Sequence, residues 1–218
     1  STPTALYSYS LTRDNLHRIT GKTETVQGVT TTYTYGYDTS GRLQTVTQNG
    51  LAHSSYTYDL NSNRTSGTLN GTAFTGTYDD QDRMTAFTGF TYLHNANGEV
   101  TEMRNVSTNT ATNLTTDSMG RITQFTTPTS VLVDYKLDWS GRRNAKLVNN
   151  TVQRRFIWED AYRLAAEKII SPAQTKEYIY VASLNSPEYM KVGSTTYRIL
   201  KDHLGAPRLG VRSSGGVG

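Results

Sequence analysis

A short phrase, Tyr37-Asp38-Thr39-Ser40-Gly41-Arg42-Leu43, returns along this chain in altered copies, and a chain written that way must fold as a row of similar units. Tyr58-Asp59 leads to Asn63-Arg64, Tyr78-Asp79 to Asp82-Arg83-Met84, Asp117 to Gly120-Arg121-Ile122, and Asp138 to Gly141-Arg142. Near the start, Arg13-Asp14 leads to His17-Arg18-Ile19, with His17 standing where glycine is found elsewhere. A further copy runs from Tyr92 to Asn97-Gly98-Glu99-Val100, with glutamate in the place of arginine. The steps between copies are unequal, which suits hairpins with variable loops better than the coils of a strict solenoid.

Each copy carries its own local instructions. Before the aspartate, residues alternate as in Tyr33-Thr34-Tyr35-Gly36-Tyr37 and Tyr56-Thr57-Tyr58, which places the tyrosines on one face of a strand. Asp-x-x-Gly-Arg then supplies turn chemistry, because aspartate can bond backbone two residues on and glycine accepts positive φ. Leu43-Gln44-Thr45-Val46 or Ile122-Thr123-Gln124-Phe125 follows as the return strand, so each repeat reads as a β-hairpin. A single hairpin is marginal in water, so the hairpins are expected to add side by side into one antiparallel strip. Equivalent tyrosines should then pair across strands. The repeated arginine should reach the aspartate of its own turn or of a neighbour's, a contact worth little where it is exposed.

Composition agrees with an all-β strip. Hydrophobic residues make up 35% of the 218 and the mean hydropathy is -0.57, too little for a thick aliphatic core. Threonine and tyrosine suit a pleated, half-solvated surface. The net charge of +4 raises the question of nucleic acid, yet most arginines are dispersed one per turn. The dense basic spots are Arg142-Arg143 with Lys146, and Arg154-Arg155, so nucleic-acid binding is disfavoured. Cysteine is absent, which excludes disulfide and thiolate chemistry. No apolar run has the length of a membrane span. Ser1-Thr2-Pro3-Thr4 does not read as a signal peptide, and without an initiator methionine the chain reads as an excised piece.

The organisation expected is an array of about seven hairpins over residues 1–153, a set of strands with different lettering over 154–212, and a flexible tail over 213–218. In the second part Arg154 to Trp158, Leu164 to Ile170, Lys176 to Val181 and Thr195 to Leu200 read as strands. Residues 161–170 have some helical propensity, and the period of the surrounding meander favours strand.

Candidate chemistry is thin. Asp202-His203 is an adjacent acid–histidine pair that Ser183 or Ser186 could complete as a triad, but neighbours on a strand point to opposite faces. His17, His53 and His94 lack metal-ligand spacing, and Asp79-Asp80 with Asp82 lacks the rest of a calcium loop. Glu159-Asp160 reads as a turn rather than a glycosidase pair. No catalytic residue, metal site or cofactor is expected.

The hairpin phrases resemble the YD repeat, also called the RHS repeat, of large bacterial toxin-carrying proteins and of animal teneurins. The residues that carry the resemblance are Tyr37, Asp38, Gly41 and Arg42, Tyr58, Asp59 and Arg64, Tyr78, Asp79 and Arg83, Asp117, Gly120 and Arg121, and Asp138, Gly141 and Arg142. The run Tyr197 to Leu209, with Asp202, His203, Gly205, Pro207 and Arg208, is similar to the Asp-His-Leu-Gly-Ser-Pro-Arg block near the end of bacterial RHS cores. Asn185-Ser186-Pro187-Glu188-Tyr189-Met190 resembles the stretch that precedes that block.

The resemblance implies a curved or spiralling strip of hairpins that forms part of a hollow shell. It also implies a secreted or bacterial cell-surface parent whose partners are the rest of the shell and an enclosed C-terminal toxin. The family's self-cleaving core end carries Asp-Pro, and this chain has no such dipeptide, so neither self-cleavage nor an effector is expected here. Family shells use more repeats than this chain holds, so open sheet edges could lead to self-association. The alternative is a binding module that presents rows of tyrosine and arginine to carbohydrate or to a protein. The direction in which the tyrosines face separates the two.

Overall fold

The computed structural model describes residues 6–182 and 185–212, and every regular element among them is a β-strand. The chain divides into two compact units, Ser1–Tyr92 with Asn105–Thr108, and Leu93–Arg104 with Asn109–Gly218. Ser183 and the expected tail over 213–218 lie outside the described residues.

In the first unit the strands are β1 (Tyr7–Arg13), β2 (Ile19–Val26), β3 (Val29–Tyr37), β4 (Leu43–Gln48), β5 (Leu51–Tyr58), β6 (Arg64–Leu69), β7 (Thr72–Tyr78), β8 (Met84–Phe87) and the first part of β9 (Phe90–His94). Each pairs antiparallel with the next in sequence. Odd–even connections, such as β3 to β4, run through the five-residue aspartate turn. Even–odd connections are two-residue turns in which both residues have positive φ, as in Gln27-Gly28, Asn49-Gly50, Asn70-Gly71 and Thr88-Gly89. That is the primed turn whose twist matches a hairpin. Asn49 adds a clasp: its Oδ1 accepts from the Thr32 amide at 2.9 Å.

The register slips by one residue where each aspartate turn begins, at Thr12/Arg13, Gly36/Tyr37, Thr57/Tyr58 and Thr77/Tyr78. A bulge at that place bends the return strand and sharpens its twist. The two faces then differ in chemistry. On one lie Tyr33, Tyr35, Tyr37, Tyr56, Tyr58, Phe74, Tyr78 and Phe87, with Tyr56 and Phe74 buried. On the other, threonines face each other across strands, as in Thr25–Thr30 at 2.8 Å and Thr34–Thr47 at 2.5 Å.

The second unit holds the rest of β9 and most of β10 (Val100–Asn105), then β11 (Thr110–Thr116), β12 (Ile122–Thr126), β13 (Leu132–Leu137), β14 (Arg143–Val148), β15 (Thr151–Trp158), β16 (Leu164–Ile169), β17 (Gln174–Ile179), β18 (Tyr189–Val192), β19 (Thr195–Lys201) and β20 (Pro207–Arg212). From β11 to β20, consecutive strands again pair antiparallel. Residues 164–169 are strand, as the meander period required. The change of lettering at Arg154 falls inside β15, which pairs with β14 and β16 alike. The core is thin. Val133 and Ala145 are its buried apolar residues, and no described side chain is fully enclosed.

Candidate functional site

The aspartate turns have one geometry. The amide of the first residue donates to the carbonyl of the fifth, and the amide of the fourth donates back to the first, as in Asp38–Arg42 at 2.9 Å and Gly41–Asp38 at 3.0 Å. The carboxylate fills the loop. Asp38 Oδ1 accepts from the Ser40 and Arg42 amides at 3.0 and 2.8 Å, and Oδ2 accepts from Arg42 Nε at 2.7 Å. The fourth residue has positive φ, which is why glycine stands there as Gly41, Gly120 and Gly141. Asp14, Asp79, Asp117 and Asp138 repeat the pattern with Arg18, Arg83, Arg121 and Arg142.

These turns are also joined to one another. Arg42 Nη1 donates to the carbonyl of Asp59 at 3.1 Å and to Ser62 Oγ at 3.2 Å, both in the next turn along. Asn63 reaches Asp82 at 2.7 Å in the same way, and Arg142 reaches the Asp160 carbonyl at 2.5 Å. Where a tyrosine stands ahead of the aspartate, as at Tyr37, Tyr58 and Tyr78, it is part of the same joint. Tyr37 lies under the Arg18 guanidinium, 4.5 Å from it, and its hydroxyl donates to the Ile19 carbonyl at 2.7 Å. Tyr58 does so with Arg42 at 4.5 Å and the Leu43 carbonyl at 2.5 Å. Trp158 takes the tyrosine's place under Arg142, donating its Nε1–H to the Arg143 carbonyl at 2.8 Å. Tyr180 under Arg163, bonded to the Leu164 carbonyl, continues the series.

Three expectations about these residues change. The tyrosines do not chiefly stack on tyrosines across strands. Ring pairs such as Tyr33–Tyr35 lie along one strand, and the recurrent partner of Tyr37, Tyr58 and Trp158 is the preceding turn's arginine. Arg64 is not the turn arginine of its repeat: Asn63 closes on Asp59, with its Nδ2 3.0 Å from Oδ2, while Arg64 opens β6 and covers Tyr56 at 4.3 Å. In addition, the Asp–Arg pairs are only partly exposed, the Asp38 side chain at 14% and Arg42 at 27%, so they are better shielded than a surface ion pair.

The Glu99 copy read from the sequence is headed by Asn95, so that amide and carboxylate exchange places, Asn95 Nδ2 donating to Glu99. Other copies were hidden in the sequence. Thr127 heads another turn, closing on Val131 and accepting the Val131 amide at its hydroxyl. Asp202-His203-Leu204-Gly205-Ala206 is a further copy. Asp202 bonds the Ala206 carbonyl, its Oδ1 takes the Leu204 and Ala206 amides at 2.9 and 3.0 Å, and Gly205 has φ of 83°. The signal was there as Asp-x-x-Gly, masked by alanine in the arginine position. Pro207 then opens β20, and Arg208 sits at its bulge.

The turn carboxylates are held in their charged form. At Asp138, burial works against ionisation, but hydrogen bonds from Ser140, the Arg142 amide and the Arg142 guanidinium outweigh it and lower the pKa to about 2. Asp160 is lowered to about 2 by the Tyr162 and Arg163 amides and the Arg163 guanidinium. Asp14, Asp38, Asp59, Asp79 and Asp117 shift in the same direction.

The remaining candidates are placed as follows. Asp202 and His203 occupy a turn rather than a strand. Ser186 Oγ is buried and makes no hydrogen bond, so it forms no relay with that histidine. His53 sits edge-on to Tyr33 and contacts Ser54. Glu159 and Asp160 share the Arg163 turn. Among the described residues no cluster of three histidines or carboxylates could hold a metal ion.

The teneurin YD-shell family model matches residues 3–217. No curated protein matches the chain. Among solved structures, TcdB2-TccC3 aligns at 12% identity over 94% of this chain and 12% of that one, with a TM-score of 0.40. TcdB2-TccC3-TEV aligns at 15% identity over 94% and 11%, with a TM-score of 0.38. The Photorhabdus luminescens Tc holotoxin pore aligns at 12% identity over 97% and 16%, with a TM-score of 0.32. The chain thus spans between 11% and 16% of the length of these structures.

Proposed function

We propose, because this chain belongs to the teneurin YD-shell family, that it is a non-catalytic wall segment of a longer RHS-type shell that encloses or presents a C-terminal toxin. The observation that carries the reading is the turn-to-turn ladder. Arg42 binds its own Asp38, covers Tyr58 and bonds the next turn's backbone, so each hairpin is completed by its neighbour. Side chains committed in this way build a wall and have little left for a ligand. The same commitment counts against a carbohydrate platform, since Tyr37, Tyr58 and Tyr78 spend their hydroxyls on backbone carbonyls.

In this reading the parent is secreted, the partners are the remaining shell and its cargo, and Asp202 to Arg208 form one more structural turn with its return strand. Limited proteolysis of the longer shell protein tests it. The C-terminal cargo should resist protease in the parent and become cleavable in Gly141→Val, where a side chain would collide with Arg121. Cargo cut equally fast in both would overturn the enclosing role. A glycan array should be blank.

A further inference from the structure

The second unit carries a charge arrangement that the wall does not need. Register places Lys136, Ala145, Arg155, Lys168 and Thr175 in one cross-strand row, on the face opposite Tyr135, Phe156 and Tyr178. Arg155 and Lys168 are direct partners, and like charges opposed in that way oppose pairing. The neighbouring rows on this face add Ile157, Ala166, Glu177 and Lys191, then Ile179, Tyr189 and Arg198.

The acids here are Glu177, 3.7 Å from Lys191, and Asp134, which is buried and bonded to Gln124. Lys136, Arg155, Lys168 and Arg198 are exposed and have no acidic partner among the described residues. Ile157 and Ile179 stand among them, 56% and 43% exposed. The corresponding face of the first unit is threonine, paired and uncharged.

We propose that this face of the second unit, centred on Arg155 and Lys168, docks on an anionic phospholipid surface. Cations on long stems above a sheet face can reach a layer of headgroups, and charge attraction of this kind needs no pocket. Isoleucines at their level add the apolar contact that an interface rewards. A nucleic acid would instead call for aromatic side chains to stack on or a groove to follow, and on this face Tyr189 is half-buried. The proposal stands independently of the enclosing role.

Sedimentation of the chain with phosphatidylcholine vesicles, with and without phosphatidylserine, tests it. Binding should require phosphatidylserine, weaken with salt, and fall roughly fivefold for each cation removed in Arg155→Gln and Lys168→Gln. Lys168→Glu should weaken it roughly fivefold more than Lys168→Gln does, while the melting temperature holds or rises because the opposed cations are relieved. Equal binding to both vesicle types, no binding at low salt, or undiminished binding in Lys168→Glu would overturn the proposal. Capture by duplex DNA as strong as by the acidic vesicles would overturn it too, by making the face a general polyanion binder.

Discussion

Arg42 shows what one residue does in this protein: it neutralises Asp38, roofs Tyr58 and bonds the backbone of the following turn. Removing it should cost about 2 kcal/mol, since a charge-assisted bond and a cation–aromatic contact are lost together. Lysine should not restore the loss, because a point charge cannot make the fork. Urea melts of Arg42→Ala and Arg42→Lys check both statements. His17 is the opposite case, an exposed histidine held at φ of 62° where glycine would be at ease. His17→Gly should raise stability by about 0.5 kcal/mol, the relief of strain being partly offset by a freer unfolded chain. The turn aspartates set the acid limit. Their folded pKa values lie below the unfolded value of about 3.9, so their stabilisation is complete above that pH and is lost as pH falls towards about 2. The melting temperature, followed by circular dichroism, should therefore be flat from neutrality to near pH 4 and fall below it. At this scale the sequence was legible for the turn, because Asp, Gly and Arg act locally. It was not legible for Asn63, Thr127 or Ala206, which hold the same turn positions with other chemistry.

An element here is half of a pair of hairpins, and its two ends are built differently. The aspartate turn brings a bulge with it, whereas the primed turns at Gln27-Gly28, Asn70-Gly71 and Thr88-Gly89 leave a flush register and the one at Asn49-Gly50 is accompanied by a bulge at Val46/Thr47. Gly67 in β6 marks how closely the strands pack: a Cβ there would lie 1.9 Å from the Ser55 carbonyl oxygen, with φ at 152°. Gly67→Ala should therefore cost more than about 3 kcal/mol. Gly71→Ala, at a turn with nothing within 4 Å, should cost only the backbone strain of about 1 kcal/mol. Parallel denaturant melts would contradict this if the two variants matched. The strands themselves could be read from tyrosine–threonine alternation. β18 and β20 could not, because neither shows that alternation.

Over the whole molecule, stability is a sum of neighbour contacts more than of a shared core, for buried apolar side chains among the described residues are Tyr56, Phe74, Val133 and Ala145 alone. Damage should then stay near its source. In Arg42→Ala, amide exchange should quicken most in β3 to β6 and fade towards β1 and β8, and uniform quickening would speak for one cooperative core. By itself, the sequence determined that the chain is an all-β array, where its aspartate turns fall, and the family to which those turns belong. Periodicity and turn chemistry are properties of adjacent residues, and they survive without knowledge of what lies across a strand. Tertiary structure decided what each side chain meets. Arg154 pairs with Glu167, while Arg155, one residue on, faces Lys168 across the opposite side of the sheet. Pairing register is set by bulges and loop lengths summed over many residues, so partners across the sheet could be known only once the hairpins were laid side by side.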